Sequence, residues 1–127
     1  MKPKIFKILS TFVMLGFLQV SFAADSSPSM SAPSWLAQAK QEIKSGKYEQ
    51  AIQVLQSANQ RDSADWNNLI GYSFRLKNPP DLAASETYYL AALKIEPAHR
   101  GALEYYGELL LMKNDLEGAE KICLSWI

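Results

Sequence analysis

A chain of 127 residues, 48% of them apolar and 20% charged, has room for one small core and a short appendage, which excludes a second catalytic domain and argues against pervasive disorder. Thirteen basic residues balance thirteen acidic ones, and the cations beyond the first few positions are scattered singly, so the clustered basic face that nucleic acid requires is missing. The chain opens with Lys2, Lys4 and Lys7, an apolar run from Ile8 to Val20, and Ser21-Phe22-Ala23 as a small-x-small cleavage site. This pattern predicts a signal peptide over residues 1–23 and a mature chain that begins at Ala24. An uncleaved anchor is the alternative, but the run is about 13 residues where a spanning helix needs roughly 20. No cysteine stands near the cut to accept a lipid. The expected product is a soluble periplasmic protein without stable membrane insertion. Removing the three leading lysines from the thirteen basic residues leaves ten against thirteen acidic ones, a mildly acidic chain.

Residues 24–33 are polar and interrupted by prolines, and they read as a disordered linker. Ser34 then offers an N-cap to a helix carrying Trp35, Leu36, Ala39 and Ile43, which should stop at Ser45-Gly46 where glycine can turn left-handed. A second helix is expected from Tyr48 to about Asn59, followed by a polar passage to Ser63. The next runs from Trp66 to about Leu76, and Asn78-Pro79-Pro80 must break it because proline cannot continue a helix. Asp81 caps a fourth helix from Leu82 to Pro97. The fifth spans Ala98 to Met112, turns at Asn114-Asp115, and the sixth enters at Leu116. No segment alternates apolar and polar residues as a half-buried strand would, so the fold class is all-α.

One row of residues ties these helices together. Leu82, Ser85, Tyr89 and Ala92 have the spacing that lines side chains along one helical face. A step of 34 residues back gives Tyr48, Ala51, Leu55 and Ala58, and the same step forward gives Leu116, Ala119, Cys123 and Trp126.

The units resemble tetratricopeptide repeats. Trp35, Gly46, Tyr48, Ala51 and Ala58 fall in that family's slots in the first unit, with Ala39 where the packing glycine is usual and Ser63 where proline is usual. Gly71, Leu82, Tyr89, Ala92 and Pro97 match in the second, Ile70 and Phe74 are close substitutes, and Ser85 replaces the small alanine. Gly107, Leu116 and Ala119 match in the third. The resemblance implies a right-handed superhelical stack of about three helix-turn-helix units, an α-solenoid, over residues 34–63, 64–97 and 98–127, the last incomplete. Gly71 comes two residues earlier than the pattern expects and Pro79-Pro80 restores the difference, so the hairpin at Asn78 to Asp81 should protrude.

Such a stack exposes a concave groove lined by the first helix of each unit. The family's groove positions correspond here to Leu36, Lys40, Ile43 and Lys44, to Asn68, Tyr72 and Arg75, and to Glu104, Tyr105, Glu108 and Leu111. Lys40, Asn68, Tyr72, Arg75, Tyr105 and Glu108 are the candidate partner-binding residues, with the tyrosines and the arginine foremost because such side chains anchor interfaces. Packing between repeats is the competing role for Tyr72 and Tyr105. The subclass that clamps a terminal carboxylate needs lysines where Leu36 and Gly101 stand and an arginine where Tyr105 stands, so that mode is not expected.

Catalytic patterns are weak. His99 is the single histidine, expected as a surface turn residue after Pro97, and Glu96 and His99 have a di-iron helix spacing that Pro97 interrupts and no second copy supports. Neither a phosphate loop nor a nucleophile elbow is present, and no enzyme activity, metal or cofactor is expected. The expectation is a protein–protein interaction module of the cell envelope, with another protein or peptide as partner. The alternative is a self-associating structural module or a truncated fragment. Ile122, Cys123, Leu124, Trp126 and Ile127 make the last helix apolar on several sides, which suggests a homodimer through that helix, and Cys123 is expected to be buried in the row of Leu55 and Tyr89.

Overall fold

The computed structural model describes residues 33–125, and among them places six α-helices and no strand. They are α1 (Ser34–Lys44), α2 (Tyr48–Ala58), α3 (Ala64–Leu76), α4 (Leu82–Ile95), α5 (Arg100–Met112) and α6 (Leu116–Leu124). The expected signal peptide, the linker up to residue 32 and the side chain of Trp126 lie outside the described residues.

The chain's punctuation sets the helix ends. After α1, Gly46 takes φ 72°, and the N–H groups of Gly46 and Lys47 return to the carbonyls of Ile43 and Glu42 at 2.9 Å each. Asn59 and Asn114 do similar work at φ 49° and 60°, a left-handed conformation that asparagine tolerates better than most residues. Asp81 caps α4 as predicted, its carboxylate accepting from the Ala84 N–H at 2.9 Å. Ser63 and Asp115 cap α3 and α6 in the same way, accepting from Trp66 and Gly118. The expected cap of α1 is corrected: Ser34 is the first helical residue, and Pro33 holds the cap position without a side-chain bond. Its ring restricts φ to −50°, and its carbonyl accepts from the Leu36 N–H at 2.9 Å.

The helices pack in sequential pairs, α1 with α2, α3 with α4 and α5 with α6. The first helix of each later pair also lies against both helices of the pair before it. The result is an all-helical arrangement consistent with a helical repeat stack. Between the first two pairs, Ala39, Ile52, Leu55, Trp66 and Ile70 form one buried cluster, in which the Trp66 indole N–H donates to the Leu55 carbonyl at 2.6 Å. Within the second pair, Ser85, Tyr89 and Ala92 are fully buried, and so are Ala51 and Leu55 one step earlier in the row.

The third row departs from the first two. Leu116 is 64% exposed and Cys123 is exposed, which corrects the expectation of a buried thiol. The physical reason is that no helix among the described residues lies over α6 as α3 lies over α2 and α5 over α4. The loop at 78–81 is exposed along its length, and the Asp81 N–H closes it by donating to the Phe74 carbonyl at 2.9 Å.

Candidate functional site

Helical spacing puts Asn68, Tyr72 and Arg75 on one side of α3, and Tyr105, Glu108 and Met112 on the facing side of α5. The Tyr72 and Tyr105 rings meet with centroids 4.6 Å apart, and Tyr48 at the start of α2 stands edge-on to Tyr72 at 6.4 Å. All three rings are half-buried, so each contributes to packing while keeping a free portion of its face or edge.

Arg75 holds this ladder from within. Its guanidinium carbon lies 5.4 Å from the Tyr72 ring centroid and 5.7 Å from that of Tyr105, and one terminal nitrogen pairs with a Glu108 carboxylate oxygen at 2.6 Å. Nε donates to the Tyr89 hydroxyl at 3.3 Å, and the other terminal nitrogen approaches the Met112 sulfur at 3.8 Å. Only 6% of Arg75 remains exposed, so its head is occupied inside the structure. Burial alone would lower its pKa, but the Tyr89 and Glu108 oxygens outweigh that and raise it. Tyr72 is raised by burial first and then by its tyrosine neighbours. Tyr89, fully buried beneath, is pushed up to about 12 by burial, which the adjacent guanidinium only partly offsets.

Of the six candidates, Tyr72, Arg75, Tyr105 and Glu108 therefore come together. Lys40 stands apart, exposed on α1. Asn68 is 6% exposed and packs against α5 at Gly101, where a Cβ would lie 2.8 Å from its side-chain nitrogen. Its Oδ1 has no hydrogen-bond partner among the described residues. Sequence reasoning did not place Tyr48, Tyr89 or Met112 at this cluster. The 34-residue row contained the signal for the first two, since Tyr48 and Tyr89 both sit in it.

A second feature lies where α5 meets α6. An open groove of about 550 Å³ runs between α5 and α6, lined by Leu103, Glu104, Gly107, Glu108, Leu111, Ala119, Ile122 and Cys123. Glu108 therefore borders both features. His99 is corrected from a surface turn residue to a structural one. Its side chain is 11% exposed, Nδ1 accepts from the Ala102 N–H at 3.0 Å as the cap of α5, and Nε2 faces an Asp65 carboxylate oxygen at 3.0 Å. That geometry assigns the proton to Nε2 when the ring is neutral.

Among the described residues no group of three or more His, Cys, Asp or Glu side chains could hold a metal ion, and no helix is long and apolar enough to cross a membrane. The fold and its tyrosine ladder define an all-helical domain of six helices packed in sequential pairs. Comparison with protein-family models, with curated proteins and with solved structures yields no match.

Proposed function

We propose that this chain is a non-catalytic protein-interaction module of the tetratricopeptide kind, its helix pairs stacked as a right-handed α-solenoid and its tyrosine ladder receiving a segment of a partner protein or peptide. The observation that carries the reading is the Tyr72–Tyr105 contact at 4.6 Å, two half-buried rings fixed over a buried cation. Rings held in place lose little freedom on binding and supply broad contact area, which is what an interface anchor needs. Arg75 acts here as the support for those rings, and Glu108 adds a half-exposed carboxylate at their edge. The leader-like N-terminus supports export to the periplasm, where the partner would be met.

The test is capture from a periplasmic extract by the mature chain and by its Tyr72→Ser/Tyr105→Ser variant. The expected outcome is a specific protein retained by the parent and lost by the variant, with helicity intact. Equal capture by both would overturn the assignment of the ladder. Self-association is the second reading, favoured by Leu111, Met112, Leu116 and Leu124, each more than half exposed around α5 and α6. A solution mass that doubles with concentration would support it.

A further inference from the structure

Positions 55, 89 and 123 are one 34-residue step apart in the second helices of the three pairs, and the first two are covered in the same way. Leu55 is fully buried where α3 lays Trp66 against it. Tyr89 is fully buried where α5 brings Tyr105 and Tyr106 to ring distances of 6.5 and 6.4 Å. Cys123 is exposed and lines the groove between α5 and α6. The third pair is closed like the others, with Gly107 and Ala119 standing where the earlier pairs carry Ala39 and Ala51, and Gly71 and Ser85, so its outer face is presented in the same way. The groove thus continues a surface that is twice occupied by a helix within this molecule.

We infer that this groove docks one amphipathic α-helix from a partner polypeptide, with a bulky aromatic or aliphatic anchor over Cys123 and a basic flank facing Glu104. The charge requirement follows from the rim: Glu104 is exposed and no lysine or arginine lines the groove beside it, whereas Glu108 already pairs with Arg75 at 2.6 Å. A second copy does not meet the requirement. Its α1 presents exposed Ser34, Ala37, Gln38 and Gln41 at the positions where α3 carries Trp66, Leu69, Ile70 and Ser73, so it lacks the apolar stripe. Its α6 carries Glu117, already paired with Lys121 at 2.8 Å, and Glu120, which leaves a net negative charge facing the rim. The groove shares Glu108 with the tyrosine ladder but none of its rings, and its failure would leave the proposed function standing.

Cys123 is the only cysteine of the chain, so its alkylation rate reports on the groove directly. The probe is a designed helical peptide with Trp and Ile at i and i+4 and lysines flanking that stripe, beside a control in which the lysines are glutamates. At ten times its Kd, the basic peptide should slow maleimide addition to Cys123 in the full chain about tenfold, as occupancy requires. The acidic control should leave the rate within about twofold of the free chain, and Glu104→Lys should weaken the basic peptide while improving the acidic one. Failure of the basic peptide to protect, or equal protection by both peptides, overturns the proposal. So does protection that rises with protein concentration alone, which would assign the groove to a second copy, and so does protection at every dilution without peptide, which would assign it to the chain's own undescribed residues.

Discussion

The Ser85 hydroxyl donates to the Gly71 carbonyl oxygen at 2.7 Å, and Gly71 is held so close to α4 that a Cβ there would lie 3.0 Å from a Tyr89 ring carbon and 3.1 Å from the Ser85 carbonyl oxygen. The hydrogen bond and the missing side chain together set how near α3 and α4 approach. Gly71→Ala would gain about 1 kcal/mol of helix propensity. The steric conflict is with backbone as well as side chain, so the net effect should be a loss of about 1–3 kcal/mol. Ser85→Ala, which removes one buried hydrogen bond without crowding, should cost about 1 kcal/mol. Urea denaturation of both variants checks the order, and a stabilised Gly71→Ala would contradict the packing.

Tyr89 gives the fold a defined alkaline limit. Its pKa rises from 10.0 to about 12 on folding, chiefly through burial, so between those values the folded chain holds a proton that the unfolded chain has released. Stability is therefore fully present below about pH 10 and declines as pH rises toward 12, by about 2–3 kcal/mol for this group. The Tyr89→Phe variant should lose most of that slope while giving up its bond to Arg75. Denaturation midpoints from pH 8 to 11.5 measure it, and parallel curves for parent and variant would remove Tyr89 as the cause.

His99→Ala should destabilise the chain by about 1–2 kcal/mol, since it deletes the cap of α5 and the link to Asp65 in one step. His99→Asn, which can still accept from the Ala102 N–H, should recover part of the loss. Thermal unfolding of the two variants distinguishes a cap from a passive turn residue: equal melting temperatures for parent and His99→Ala would restore the passive reading.

Most of the helical architecture was legible in the sequence because its terminators are chemically explicit. Gly46, Asn78-Pro79-Pro80, Asp81 and Asn114 end or begin helices through backbone preferences that need no tertiary information, and the six elements fall where those residues put them. The row through Ala51, Leu55, Ser85, Tyr89 and Ala92 was legible too, since helical periodicity alone specifies a shared face. Burial of the row's last members was not, because cover comes from a different helix and Cys123 has none among the described residues. The same limit applied to the candidate site. Residue type suggested Arg75 as a contact, but whether an arginine points outward depends on what stands opposite it. Tyr89, Glu108 and Met112 do, from two other helices. His99 was misread for a related reason, since its partner Asp65 is 34 residues away.

Arg75 makes the two junctions between successive helix pairs chemically unlike each other. The junction of the first two pairs rests on the apolar cluster of Ala39, Ile52, Leu55, Trp66 and Ile70. The junction of the last two adds a cation reaching a carboxylate on α5 that is 47% open to solvent. A salting-out anion such as sulfate strengthens apolar burial, whereas ionic strength screens a charge pair from its open side. Dissolved salt therefore tightens one seam while loosening part of the other, and the ionic composition around the protein becomes a control on which pair of helices parts first.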